Sequence, residues 1–274
     1  MLSIAALGVL VLVGIAFLWR HVKKPQIDPE AAVSLEPYFQ GFSNLNNLKG
    51  LFSFSMSFGL YFVVLTVFGK KFLEDVGGLT PQMASLCCSA MVLLSAVINQ
   101  ASGILCTLTG NQRRIFILFQ TSFVPAGCLL ALIGVLFLPH GVVLGYLLVT
   151  AFLLITLAAG FSPATNAFML EVNPAALTCV GVGISNFSAY AFVAIFSSLA
   201  GGVLDLFRDQ AQADVTGVLH YPDVAYLVLL GIFVLIGSGA HGVAHRLPET
   251  YGRNIYEGAS RTLRFLGFRF TLRN

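Results

Sequence analysis

Five charged residues sit close to the ends of apolar runs: Arg113 and Arg114, Glu171, and Glu249 with Arg253. If those runs bring their ends to one plane, opposite charges so placed can pair. A pair that forms in one state and breaks in another needs only a few kcal/mol of preference to act as a gate. Inside the runs the chemistry is uncharged. Ser53, Ser57 and Tyr61 recur at i, i+4 and i+8 and so share one helical face, as do Asn186, Tyr190 and Ser197, with Gly183 opening that second face. Ser95, Asn99 and Ser102 form a third set, and Thr150 and Thr156 lie on a fourth run. Ser and Thr at such spacing also serve plain helix packing. Large polar groups cost more to bury unpaired, so Tyr61, Asn186 and Tyr190, with Ser57 beside them, are the candidates to touch a bound small molecule.

Other chemistries find no footing. There is no Gly-rich phosphate loop with its Lys, and no Ser/His/Asp or Cys/His arrangement that falls on one face, so no enzymatic activity is expected. Cys87, Cys88, Cys106, Cys128 and Cys179 lie in or at the ends of apolar runs without metal-ligand spacing. They read as small packing residues, and neither a metal nor a cofactor is expected. His241 and His245 fall in the last turns of an apolar run, where an interfacial or capping role suits them.

The elements that must position these residues follow from composition. The chain has 274 residues, 57% hydrophobic and 10% charged, against roughly a quarter charged in soluble domains. Seven runs approach the ~20 apolar residues that a helix needs to cross a bilayer: 3–19, 50–68, 82–108, 115–138, 141–170, 178–206 and 224–243. The expected fold is therefore all-α, a polytopic membrane protein of seven transmembrane helices. Residues 1–24 read as a single span followed by basic residues, and 25–49, with Pro25, Pro29, Pro37 and the Asn-rich "SNLNNL", as a cytoplasmic linker. Residues 50–246 read as a six-helix bundle and 247–274 as a cytoplasmic tail, whose arginines and phenylalanines suit either a basic amphipathic segment on the inner leaflet or disorder.

Basic residues mark the cytoplasmic side of spans. Counted over alternate connections, Arg20, Lys23, Lys24, Lys49, Arg113, Arg114 and six tail arginines share one side, and Lys70, Lys71 and Arg208 the other. The N-terminus is accordingly expected outside and the C-terminus in the cytoplasm, in a plasma (inner) membrane. The net charge of +3 belongs largely to those flanks and their lipid headgroups, with no reason to expect nucleic acid.

Three cytoplasmic segments carry a resemblance. "GILCTLTGNQRR" (Gly103 to Arg114) resembles a loop pattern of Gly, a few residues, Asp-Arg-x-Gly and a basic pair, with Gly103, Gly110, Arg113 and Arg114 in place and Thr107 and Leu108 departing from it. "EVNPAALTCVGVGISN" is similar to a Glu-x-x-Pro-x-x-x-Arg pattern, with Glu171 and Pro174 matching and Thr178 in the basic position. "PETYG", with Pro248, Glu249 and Gly252, is similar to a signature that ends a final helix. In this order and on one membrane side they resemble the major facilitator superfamily. That resemblance implies that residues 3–258 correspond to the sixth helix, central loop and second six-helix half of such a transporter, the first five helices lying outside this chain. It further implies a small-molecule solute moved by alternating access between two halves, a missing first half as partner, and Arg113 or Arg114 pairing with Glu171 or Glu249 as an inner gate. The lack of fixed charge within the runs favours a neutral or amphipathic solute.

A seven-span receptor has the same topology. A retinal protein would need a Lys in the last run, and residues 224–243 contain none. A non-transporting accessory membrane protein is the remaining alternative.

Overall fold

The computed structural model describes residues 44–174, 178–213 and 217–256, the backbone of 260–265 and 268–273, and Val13. Contacts divide the chain at Leu35 into two units, and the second holds the elements below. The expected span over 3–19, the linker to residue 43 and Pro174-adjacent 175–177 lie outside the described residues.

The described chain is helical: α1 (Leu45–Val63), a π-helical turn (Val64–Phe68) and α2 (Gly69–Asp75), α3 (Pro81–Leu108), α4 (Arg113–Phe137), α5 (Val142–Gly160), α6 (Ser162–Glu171), α7 (Thr178–Leu206) and α8 (Asp223–Ala244). Together these make six helical stretches long and apolar enough to cross a membrane, α1–α2 and α5–α6 each counting as one. This is an all-α polytopic bundle with six spans among the described residues.

Two boundaries differ from expectation. The first span begins at Leu45, so the end of "SNLNNL" is helix and not linker. Asn44 caps it by accepting from the backbone N–H of Asn46 and Asn47, at 3.0 and 3.3 Å. The run 141–170 is not one helix but breaks at Phe161, where Ser162-Pro163 starts α6; Pro fits a first turn because it has no N–H to place.

In the tail, strands β3 (Ser260–Phe265) and β4 (Phe268–Arg273) pair antiparallel. Two-residue strands β1 (Gln212–Ala213) and β2 (Leu219–His220) make a second ribbon between α7 and α8.

The main core is aromatic, with Phe68, Phe72, Phe152, Tyr226 and Phe233 all buried. A smaller cluster under the other end joins Leu51, Ile117, Phe168, Met169 and Leu247. Glycines set the closest helix approaches: a Cβ at Gly127 would lie 2.4 Å from Ile155, and one at Gly160 2.3 Å from Ile98.

Candidate functional site

Three constellations emerge: one at the end of the bundle where α4 begins and α8 ends, one at mid-depth and one at the opposite end. At the end where α4 begins, the segment after α8 folds back across the helix ends. Glu249 accepts from the backbone N–H of Arg113 (2.7 Å) and Arg114 (3.0 Å), capping α4 with one oxygen for each. Here the first N–H groups of a helix lack intrahelical partners and the dipole favours an anion. Gly252, at φ +73°, turns the chain beside Asn111, itself at φ +59° after Gly110 at φ +74°. Thr250 donates to Glu171, and the backbone N–H of Ile255 donates to the Glu171 carbonyl at 2.8 Å.

Glu171 in turn receives a two-pronged contact from Arg113, at 2.9 Å from Nη2 and 3.0 Å from Nε. Both side chains are mostly buried, 14% and 11% exposed. Arg113 also donates to Cys106 Sγ, giving that cysteine a polar role beyond packing. Arg114 donates to the His245 carbonyl. Of the expected inner-gate residues, then, Arg113 and Glu171 form the ion pair, whereas Glu249 binds backbone and, among the described residues, no arginine side chain. Gly103 has open space around it. Pro248 lies in the strap just beyond α8.

Sequence reasoning overlooked the amides of this clasp. Asn44 donates to the Val172 carbonyl, Asn173 to Asn47 Oδ1 and the Met169 carbonyl, and Asn254 to the Asn173 carbonyl. Clustered asparagines flanking a helix start were the available signal, and they were read as linker.

At mid-depth a cleft of about 360 Å³ opens between α1, α3 and the α5–α6 break. Phe58, Tyr61 and Phe62 supply its aromatic side; Ser95, Asn99, Gln100 and Ser162 supply its polar side. At the break Ser102 donates to the Gly160 carbonyl at 2.7 Å, meeting a backbone group that the interrupted helix frees, while Asn99 donates to the Ser162 hydroxyl at 2.8 Å. Ser95 lines the cleft along with Tyr61 and donates to the Val92 carbonyl of its own helix at 2.8 Å.

Of the residues expected at a binding site, Tyr61 lines the cleft and Tyr190 stands at its aromatic edge, 5.8 Å from Phe58 and 6.2 Å from Phe62 between ring centroids, edge-on to both. Ser57 is not there: it is fully buried, with no partner for its hydroxyl among the described residues. Asn186 is exposed on α7 and does not line the cleft either. A helical face is not yet a cavity: Ser57 shares its face with Tyr61 but does not line the cleft. Thr150 and Thr156, expected as cavity lining, bond to their own helix at the Tyr146 and Phe152 carbonyls. Phe58, Gln100 and Ser162 carry no signal in that spacing: Gln100 lies one position off the Ser95, Asn99, Ser102 stripe, and Phe58 is one apolar residue among many in its run.

A third cluster lies at the opposite end. Asp75, 1% exposed, accepts from Lys71, from the backbone N–H of Tyr221 (3.0 Å) and from the Tyr226 hydroxyl (2.7 Å), with His220 Nδ1 at 2.7 Å. Among the described residues no group of three or more His, Cys, Asp or Glu is arranged to hold a metal ion.

No family model matches the sequence, and no curated protein matches it.

Proposed function

We propose that this chain contributes the second half of a secondary transporter of the major facilitator type, carrying a small solute across a plasma (inner) membrane by alternating access around the mid-depth cleft. The observation that carries this reading is the cleft's position at a broken span. Asn99 lies nine residues from the end of α3, about 14 Å along the axis, so its amide and that of Gln100 sit at hydrocarbon depth. Polar side chains there are costly against lipid and belong to cavities or partners. Discontinuous spans whose freed backbone lines a cavity are a common device of secondary transporters.

The inner clasp supplies a second part of the machine. Arg113–Glu171 and the Glu249 cap tie α4, α6 and the strap after α8 together, and their separation would open the inner end. Two spans are left largely uncovered: 11% of the most apolar stretch of α3 and 22% of that of α7 are buried, against 61% in the first span. A second bundle covering these faces is the partner this reading requires, along with lipid. The same bareness favours, as second reading, an accessory membrane subunit that does not itself transport.

Uptake tests the proposal. Proteoliposomes holding the chain together with a candidate first half should accumulate a labelled solute from a mixed panel, and Asn99→Ala should reduce that uptake by about tenfold or more. Uptake no greater than in empty vesicles, with every first half tried, would defeat it and leave the accessory role.

A further inference from the structure

Resting on that reading, the cleft also constrains what it takes. Its lining carries no charged side chain, and an ion buried without a counter-charge is strongly disfavoured. Its aromatic side is a wall: Phe58 and Phe62, one helical turn apart, are stacked with centroids 5.8 Å apart and planes inclined by 30°, and Tyr190 abuts both edge-on. Such a wall favours a flat ring laid against it.

The polar side is specific in its donors and acceptors. Asn99 gives one N–H of its Nδ2 to Ser162, which leaves its second N–H to donate and its Oδ1 to accept. Gln100 has no side-chain partner among the described residues and offers two donors and an acceptor. Having accepted from Asn99, the Ser162 hydroxyl still has its own proton to give. A carboxamide pairs in two-point fashion with an edge holding a donor beside an acceptor, as it does with adenine. The cleft volume lies at the small end of ligand pockets.

We infer that the cleft binds an uncharged planar heterocycle with an amide-like edge, of the nucleobase or nicotinamide kind. Aromatic rings also attract organic cations, but no carboxylate lines this cleft to complete such a site.

Equilibrium binding of labelled adenosine, uridine and nicotinamide to the purified full chain in nanodiscs tests the inference, with glucose and choline as comparison probes. At least one heterocycle should bind saturably, and Gln100→Ala and Phe58→Ala should each weaken it about tenfold. Ser122→Ala, at a half-buried position on α4 away from the cleft and bonded to its own helix, should not. As a check independent of variant folding, the bound heterocycle should protect a Gln100→Cys thiol, in a background free of other cysteines, from maleimide. Absence of saturable binding at millimolar concentration, tighter binding of glucose or choline, or loss of none of the affinity in Gln100→Ala would overturn it. Uptake of some other solute without heterocycle binding would overturn this inference and leave the transport reading intact. Heterocycle binding with no uptake alongside any first half would support the site and count against transport.

Discussion

Asp75 shows how much one side chain can tie together. Its two oxygens serve four groups from three places: Lys71 one helical turn back, His220 and Tyr221 in the β2 segment, and Tyr226 in the first turn of α8. All are polar donors or ring nitrogens turned toward a carboxylate that is 1% exposed. Asp75→Asn keeps the volume but turns an NH₂ toward part of that donor set and removes the negative charge from beside Lys71. It should cost about 2–4 kcal/mol, read as a lower midpoint of thermal unfolding in detergent. An unchanged midpoint would mean that the cluster contributes no net stability. Residues of this kind are illegible in sequence because His220 and Tyr226 are 145 and 151 positions away from their partner. Arg113 and Glu171 are separated by 58 positions, yet were legible because each sits at a run end, and counting alternate connections brings those ends to one side. Tyr61 was legible for a different reason: a large polar group inside an apolar run needs a partner, and the cleft supplies one.

At the scale of elements, hydropathy located the spans but not their interruptions. Apolar content is continuous through Val64–Phe68 and through Phe161, so nothing in it distinguishes a π turn or a break from regular helix. The glycine after the π turn is the clearer mark. A Cβ on Gly69 would lie 2.0 Å from the Val64 carbonyl oxygen and 2.9 Å from Phe152, so the widened turn requires the missing side chain. Gly69→Ala must shift backbone against a packed ring. It should cost about 1–3 kcal/mol in the same unfolding assay and disturb the Phe68 and Phe72 core. Gly103→Ala is the control, since a methyl there meets nothing within 4 Å and gains the better helix former. Equal midpoints for the two variants would show that the π turn relaxes into regular helix at no cost. The α5–α6 break bears on function more directly. Phe161 gives no sign of it, but Ser162-Pro163 does, because Pro at a first helical turn is a start signal placed inside an apolar run.

For the whole bundle, geometry and charge describe one polarity. The six spans return the chain to the end where it entered, and Lys49 Nζ donates to the Arg246 carbonyl at 3.3 Å. Arg113 and Arg114 join them there through Glu249 and His245. Lys70, Lys71 and Arg208 remain at the other end, accompanied by Glu74, Asp75, Asp205, Asp209 and Asp223. Lys and Arg are therefore more frequent at one end than at the other, and it is this bias in basic residues that orients spans during insertion. If basic residues mark the cytoplasmic side here as the rule has it, the clasp and the opening it would govern face the cytoplasm. Arg253 and Arg208 report the two ends cleanly, because both are exposed. In a background free of other cysteines, Arg208→Cys should react with a membrane-impermeant maleimide on intact cells, and Arg253→Cys only after permeabilisation. Neither substitution removes an ion pair among the described residues, so a changed pattern would report orientation and not collapse. The reverse pattern would put the Arg113–Glu171 pair on the outer surface, and the clasp would then guard the entrance from outside the cell.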